Sequence, residues 1–192
     1  MATRAASVAL LVALMGATHL SNAQRLFRQT AESYVSVAGT SSLHEWAMTS
    51  NDIRVQAQIV LNESGAPTSI QSFNLSLRAE SLKSGVVAMD KNAYSTLNTA
   101  EHKNIQFEMG LTELTGSVVV VEGTLTVAGV SRKIQVEGSV RVLPDKSLLV
   151  TGTKKLKMSD FAIEPPTFMF GTVTTGDEVT ITFNANLTPA KK

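Results

Sequence analysis

An all-β fold is what this sequence predicts: a closed antiparallel sheet of about eight strands with one short helix and an apolar lumen. Three observations carry the prediction. About eight stretches alternate apolar and polar residues with period two, their apolar members form one continuous face, and one stretch shows helical spacing instead. A sheet this long with a single apolar face must close on itself or pair with a second sheet, and a closed sheet can enclose a ligand. No unit recurs at a fixed length, which disfavours a propeller or a solenoid.

Taken in order, residues 1–23 read as an address. Arg4 gives a charged start, Ala5 to Ala17 is an apolar run too short to span a bilayer, and Ser21-Asn22-Ala23 is a small-x-small cleavage pattern. Cleavage after Ala23 is expected, with export and no transmembrane segment in the mature chain. The cleavage site has no cysteine for lipidation. Residues 24–33 lack a clear period and are expected to be a frayed lead-in. The barrel is assigned to 34–188 and a short tail to 189–192.

Within the barrel, Tyr34 to Thr40 alternates through Val35, Val37 and Gly39, and His44, Trp46 and Met48 share one side of the next stretch. Ile53, Val55, Ala57, Ile59 and Leu61 oppose Arg54, Gln56 and Gln58. A turn over Glu63 to Pro67 follows, after which Phe73, Leu75, Leu77 and Ala79 resume the apolar face. Ala88 to Thr99 breaks the pattern, with Ala93, Tyr94 and Leu97 at helical spacing behind Asp90, taken as the N-cap of a helix lying against the barrel. Strands resume with Ile105, Phe107, Met109 and Leu111. The two clearest strands, Val118 to Val127 and Ile134 to Val142, are joined by a tight hairpin over Ala128 to Ser131. Leu148 to Met158 alternates with Lys154 on the apolar parity, Phe161 to Gly176 is a long irregular connection, and Glu178 to Leu187 is the last strand.

Strand length alone would also suit an outer-membrane barrel, but aromatics are only 5% of the chain, too few for interfacial girdles, and the polar parities hold Arg54, Arg78, Lys133, Glu137 and Arg141. The apolar face is therefore placed inside. Gly39, Gly123, Gly138 and Gly152 share the inward parity, where they either leave room for a ligand or mark bends in a filled core.

Composition narrows the chemistry. The 192 residues are 43% hydrophobic and 17% charged, which suits one globular domain. A net charge of +1 leaves no basic stripe for nucleic acid, and the absence of cysteine removes disulfides, thiol nucleophiles and thiolate metal sites. His44 and His102 are the histidines left after signal removal, and neither has a partner at metal-ligand spacing. There is no Gly-x-Ser-x-Gly, phosphate-cradling loop or dinucleotide fingerprint, so no metal or cofactor is expected.

Several segments in order resemble one family. They are Gly39-Thr40-Ser41-Ser42-Leu43-His44-Glu45-Trp46, Ser81-Leu82-Lys83-Ser84-Gly85 with Met89-Asp90, Glu101-His102-Lys103-Asn104-Ile105-Gln106-Phe107, and Lys157 to Pro166. The fullest is Gly123-Thr124-Leu125-Thr126-Val127-Ala128-Gly129-Val130-Ser131-Arg132-Lys133-Ile134. Together they resemble the YceI-like family of exported, lipocalin-like barrels that bind polyisoprenoid lipids, with Lys103 where the family usually has proline. The resemblance implies a periplasmic, soluble binding barrel for a long isoprenoid chain such as a quinone tail.

The reading that joins residues and resemblance is a non-catalytic lipid-binding barrel. Its expected wall is Val37, Trp46, Phe73, Leu75, Phe107, Met109, Leu125, Val136, Met158 and Phe183, with Phe168 and Phe170 from the irregular connection. Tyr94 and Leu97 are expected to close one end, and Lys154 to meet a polar head group or reach water. Two alternatives stand beside it: a cell-envelope structural or interaction protein with a filled core, and an enzyme using His102, Asp160 and Glu164 at the barrel mouth. Oligomeric state is open, a homodimer included.

Overall fold

The structure, a computed structural model, describes residues 23–114, 116 and 118–190. The expected signal segment lies outside the described residues except for Ala23, as do the last two residues of the tail. Among the described residues, twelve strands and one α-helix follow one another in the order β1 (Ala23–Gln29), β2 (Tyr34–Ser41), β3 (Glu45–Ser50), β4 (Ile53–Leu61), β5 (Pro67–Arg78), α1 (Val87–Thr96), β6 (Asn104–Met109), β7 (Thr112–Glu113), β8 (Val118–Val127), β9 (Val130–Val142), β10 (Leu148–Lys157), β11 (Thr167–Phe168) and β12 (Val173–Pro189). Eight of the strands form a closed antiparallel ring, β1-β4-β5-β6-β8-β9-β10-β12, sealed where β12 pairs with β1.

The alternation read from the sequence is the cause of this shape. Along β4 each of Ile53, Val55, Ala57, Ile59 and Leu61 is buried, while Arg54, Gln56 and Gln58 face solvent. The apolar parity points inward. At the β8–β9 hairpin Val127 pairs with Val130, and Ala128 and Gly129 both take positive φ (47° and 77°), the two-residue turn whose twist matches its strands.

The lead-in expected to fray is instead the strand β1. It pairs with β4 from Ala23↔Leu61 to Arg28↔Gln56 and with β12 from Phe27↔Pro189 to Gln29↔Leu187. Its signal is faint because Arg25 and Gln29 share the parity of Phe27, while Leu26 faces out. Phe27 nevertheless sits at 1% exposure in the core. Beyond the last residue paired with β4, the Gln29 side chain continues that ladder: its amide donates to the Ile53 carbonyl (2.9 Å) and its oxygen accepts from the Val55 N–H (2.8 Å).

β12 divides the barrel into two levels. One edge pairs with β10 from Glu178 to Leu187, while the other pairs first with β2 (Thr175 to Asn184) and then with β1 (Leu187 to Pro189). At the β1 level the ring is packed solid by Phe27, Ala57, Ile59, Ile70, Leu148, Ala185 and Leu187, none more than 2% exposed. At the β2 level the wall is extended by β3, whose Thr49 exchanges two backbone hydrogen bonds with Lys83 (2.9 and 3.0 Å) beyond the end of β5. A Ser50–Ser81 hydroxyl contact (2.7 Å) and the Arg78–Asp52 ion pair (2.8 Å) hold the same seam.

Helix α1 begins at Val87, and its N-cap is Val86, which offers no side-chain bond. Asp90, expected at that cap, lies one turn inside. Its carboxylate accepts the Ser84 N–H (2.8 Å) and hydroxyl (2.7 Å), so the loop before the helix is fastened to the helix body. The irregular connection before the last strand contains the short β11 and then joins β12 five residues earlier than expected, through a register shift between Thr175 and Val179.

Candidate functional site

The upper level of the barrel encloses a cavity of about 460 Å³ with an almost wholly apolar wall. Every wall strand gives its inward parity: Val35 and Val37 from β2, Trp46 and Met48 from β3, Phe73, Leu75 and Leu77 from β5, Ile105 and Phe107 from β6, Leu125 and Val127 from β8, Ile134 and Val136 from β9, Leu156 from β10, and Val179, Ile181 and Phe183 from β12. No described residue of β1 or β4 takes part. Helix α1 covers one side with Ala88, Met89, Ala93 and Thr96, the connection before β12 adds Phe161, Ile163, Pro166 and Phe168, and β12 adds Val173 at its start.

Phe73, Phe107, Val136 and Phe183 form the floor. These four also border a separate space of only about 30 Å³ beneath, among Ile70, Met109, Val121 and Val150. The Phe73 and Phe183 rings meet there at 6.0 Å with a 43° tilt, a favourable aromatic arrangement. The cavity is therefore blind, closed by this aromatic floor and not by Tyr94 and Leu97 as the sequence suggested. At the other end Leu43 (67% exposed) and Val86 (57% exposed) line the cavity and face solvent, which marks the mouth.

The inward glycines explain how large rings fit so thin a wall. A Cβ on Gly39 would lie 2.6 Å from the Trp46 indole, its cross-strand partner, and one on Gly123 or Gly152 would collide with the Phe107 or Phe183 ring. Each ring occupies space that a Cβ would need. Neither sequence reading was complete, since these three glycines seat the aromatics that shape the cavity. Trp46 is further held by its indole N–H, which donates to the Thr40 carbonyl at 3.1 Å.

With this geometry in view, the YceI-like domain family matches residues 29–187. The chain belongs to the YceI-like family. No curated protein matches it in sequence. Among solved structures, this YceI-like chain is similar to BcnA of Burkholderia cenocepacia, at 18% identity and a TM-score of 0.65 over 82% of this chain and 96% of that one. It is also similar to a polyisoprenoid binding domain from Saccharophagus degradans implicated in plant cell wall breakdown, at 12% identity and a TM-score of 0.65 over 88% and 100% of the two chains. A Campylobacter jejuni YceI protein matches at 17% identity and a TM-score of 0.53 over 72% and 82%. At these identities the likeness is one of fold.

The structure brings most of the expected wall residues together: Val37, Trp46, Phe73, Leu75, Leu97, Phe107, Leu125, Val136, Lys154, Met158, Phe168 and Phe183 all line the cavity of the YceI-like barrel. Three do not. Met109 lies below the floor, buried at 8% exposure. Phe170 is fully exposed at a positive φ of 58°. Tyr94 pins α1 to the barrel instead of closing its end: its hydroxyl reaches the Leu82 carbonyl (2.7 Å), with that of Glu80 at 2.9 Å, and accepts from the Lys83 ammonium (2.6 Å). That contact raises the Lys83 pKa.

Strand parity alone would have added Val35, Met48, Ile105, Val127, Ile134, Leu156, Val179 and Ile181. Leu43, Val86, Phe161 and Ile163 come from non-repeating loops with no periodic signal. The three residues of the enzyme alternative line no part of the cavity. The His102 ring rests against Gly129 at the hairpin turn, the Asp160 carbonyl accepts from Arg132 Nε (2.9 Å), and Glu164 is exposed. At the mouth Ser41 and His44 are adjacent, but the Ser41 hydroxyl donates to the His44 carbonyl (2.8 Å) and His44 Nδ1 lies 2.7 Å from the Glu45 carbonyl.

Proposed function

We propose that this protein binds and carries an apolar isoprenoid chain, the tail of a polyisoprenoid or quinone, without a covalent step, in the bacterial periplasm. The observation that carries the reading is the blind apolar cavity, built by the inward parity of eight strands and open at one end. Membership of the YceI-like family supports it, as does a structural relative described as a polyisoprenoid binding domain.

The energetics suit a hydrocarbon ligand. Burial stabilises by about 0.8 kcal/mol per methylene, against roughly 4–15 kcal/mol for the freedom lost on association. A chain of a dozen buried carbons contributes about 10 kcal/mol at that rate, well above the lower end of that cost without a charged contact, and a small polar metabolite does not. Lys154 and Lys157 line the wall through long stems whose ammonium groups stay near water, suited to a polar head group at the mouth. The Ser41–His44 neighbours serve as a backbone turn, which supports carriage over catalysis.

Organic extraction of protein purified from a periplasmic fraction, followed by mass spectrometry, tests the reading. Release of isoprenoid masses in near-stoichiometric amount from a chain starting at Gln24 is the expected outcome. Reproducibly empty protein from a lipid-rich host contradicts it.

A further inference from the structure

We infer that the aromatic floor sets a length limit on the bound chain, so that the cavity takes a short run of isoprene units and leaves any further length outside the mouth. This rests on the isoprenoid-binding reading and adds a ligand class to it: chains of three to four units, rather than the long chain the resemblance implies.

Two observations carry the limit. The first is volume. A cavity of about 150 Å³ holds benzene, roughly 25 Å³ per carbon, so about 460 Å³ holds roughly 18 carbons, or between three and four isoprene units. The second is the blind end. Phe73, Phe107 and Phe183 separate the cavity from the 30 Å³ space below, and beneath that the barrel is filled by side chains at 2% exposure or less. Phe107 and Phe183 sit over Gly123 and Gly152, where a Cβ would displace them, so the floor's height is fixed by the glycine seats. A chain entering past Leu43 and Val86 stops at those rings.

The single tryptophan, Trp46, lines the cavity and reports occupancy by its emission. The experiment titrates the protein with isoprenoid chains of two, three, four, five and eight units carrying one common soluble head group. Affinity is expected to rise by at least about tenfold with each added unit up to three, since each buries more apolar surface, and by less than about threefold in total from four units to eight. In Phe183→Ala, which removes six ring carbons and joins the lower space, the plateau is expected to move out by about one unit. Phe183→Leu gives a smaller shift in a better-filled core.

Affinity that keeps climbing through eight units in the wild-type protein overturns the length limit while leaving isoprenoid binding intact. A plateau that stays put in a folded Phe183 variant overturns the role of the floor. No change in Trp46 emission with a chain of any length overturns the binding reading itself.

Discussion

Gly39 and Trp46 show how a single missing side chain shapes the cavity. The indole occupies the space a Cβ would take, its N–H is satisfied by Thr40, and it lines the lumen. Gly39→Ala forces a contact of 2.6 Å unless the indole moves. Overpacking of this kind costs about 1–3 kcal/mol. Urea unfolding is expected to show a loss in that range together with a shifted Trp46 emission, and a variant with unchanged stability and spectrum would contradict the seat. Parity placed Gly39 and Trp46 on the inner face from sequence alone. That the ring covers the glycine was not legible, because it depends on cross-strand register, which a single strand does not encode.

At the scale of elements, the legible strands are those that alternate apolar and polar residues over most of their length, such as β4 from Ile53 to Ile59 and β8 from Val121 to Val127. β1 was illegible because one apolar residue, Phe27, faces in and another, Leu26, faces out. Its stability comes from tertiary pairing with β4 and β12. Phe27→Ala is expected to lose about 3–5 kcal/mol, the usual cost of emptying an aromatic core site, read from denaturant midpoints; a loss below about 1 kcal/mol would restore the frayed lead-in.

The helix was legible by its period, but its start was not, since the cap comes from inside. Asp90 is held below the usual carboxylate range by the hydrogen bonds from Ser84, with Lys83 adding to the effect. Because its folded-state pKa is depressed, its contribution is whole above the unfolded value of about 3.9 and is lost as the pH falls through the lower folded value. Asp145 and Asp177 follow the same direction through Ser147 and Ser159. Asp90→Asn is therefore expected to melt earlier than wild type at neutral pH, with the gap between the two curves closing as the pH falls below the unfolded carboxylate value of about 3.9. A constant gap across that range would contradict the assignment.

The whole molecule is a barrel of two halves, one packed and one hollow, and this division is what the alternation could not express. Period two assigns residues to an inner face and says nothing of whether that face meets itself or a void. The split follows from β12, long enough to pair with β1 at one level and β2 at the other, and from the rings of Phe73, Phe107 and Phe183 at the boundary. The inward parity of the strands was thus legible, while the full cavity wall, the blind floor and the loop-built mouth were not. The loops that supply Leu43, Val86 and Phe161 carry no periodic signal.

We propose that an isoprenoid chain lies in the hollow half with its end against the aromatic floor. Photocrosslinking with a three-unit isoprenoid carrying a diazirine at its terminal methyl, followed by peptide mapping, tests it most directly. Labels on Phe73, Phe107, Val136 or Phe183 are the predicted result. Labels confined to outward residues such as Val118 and Val120, with none on the floor, would contradict it.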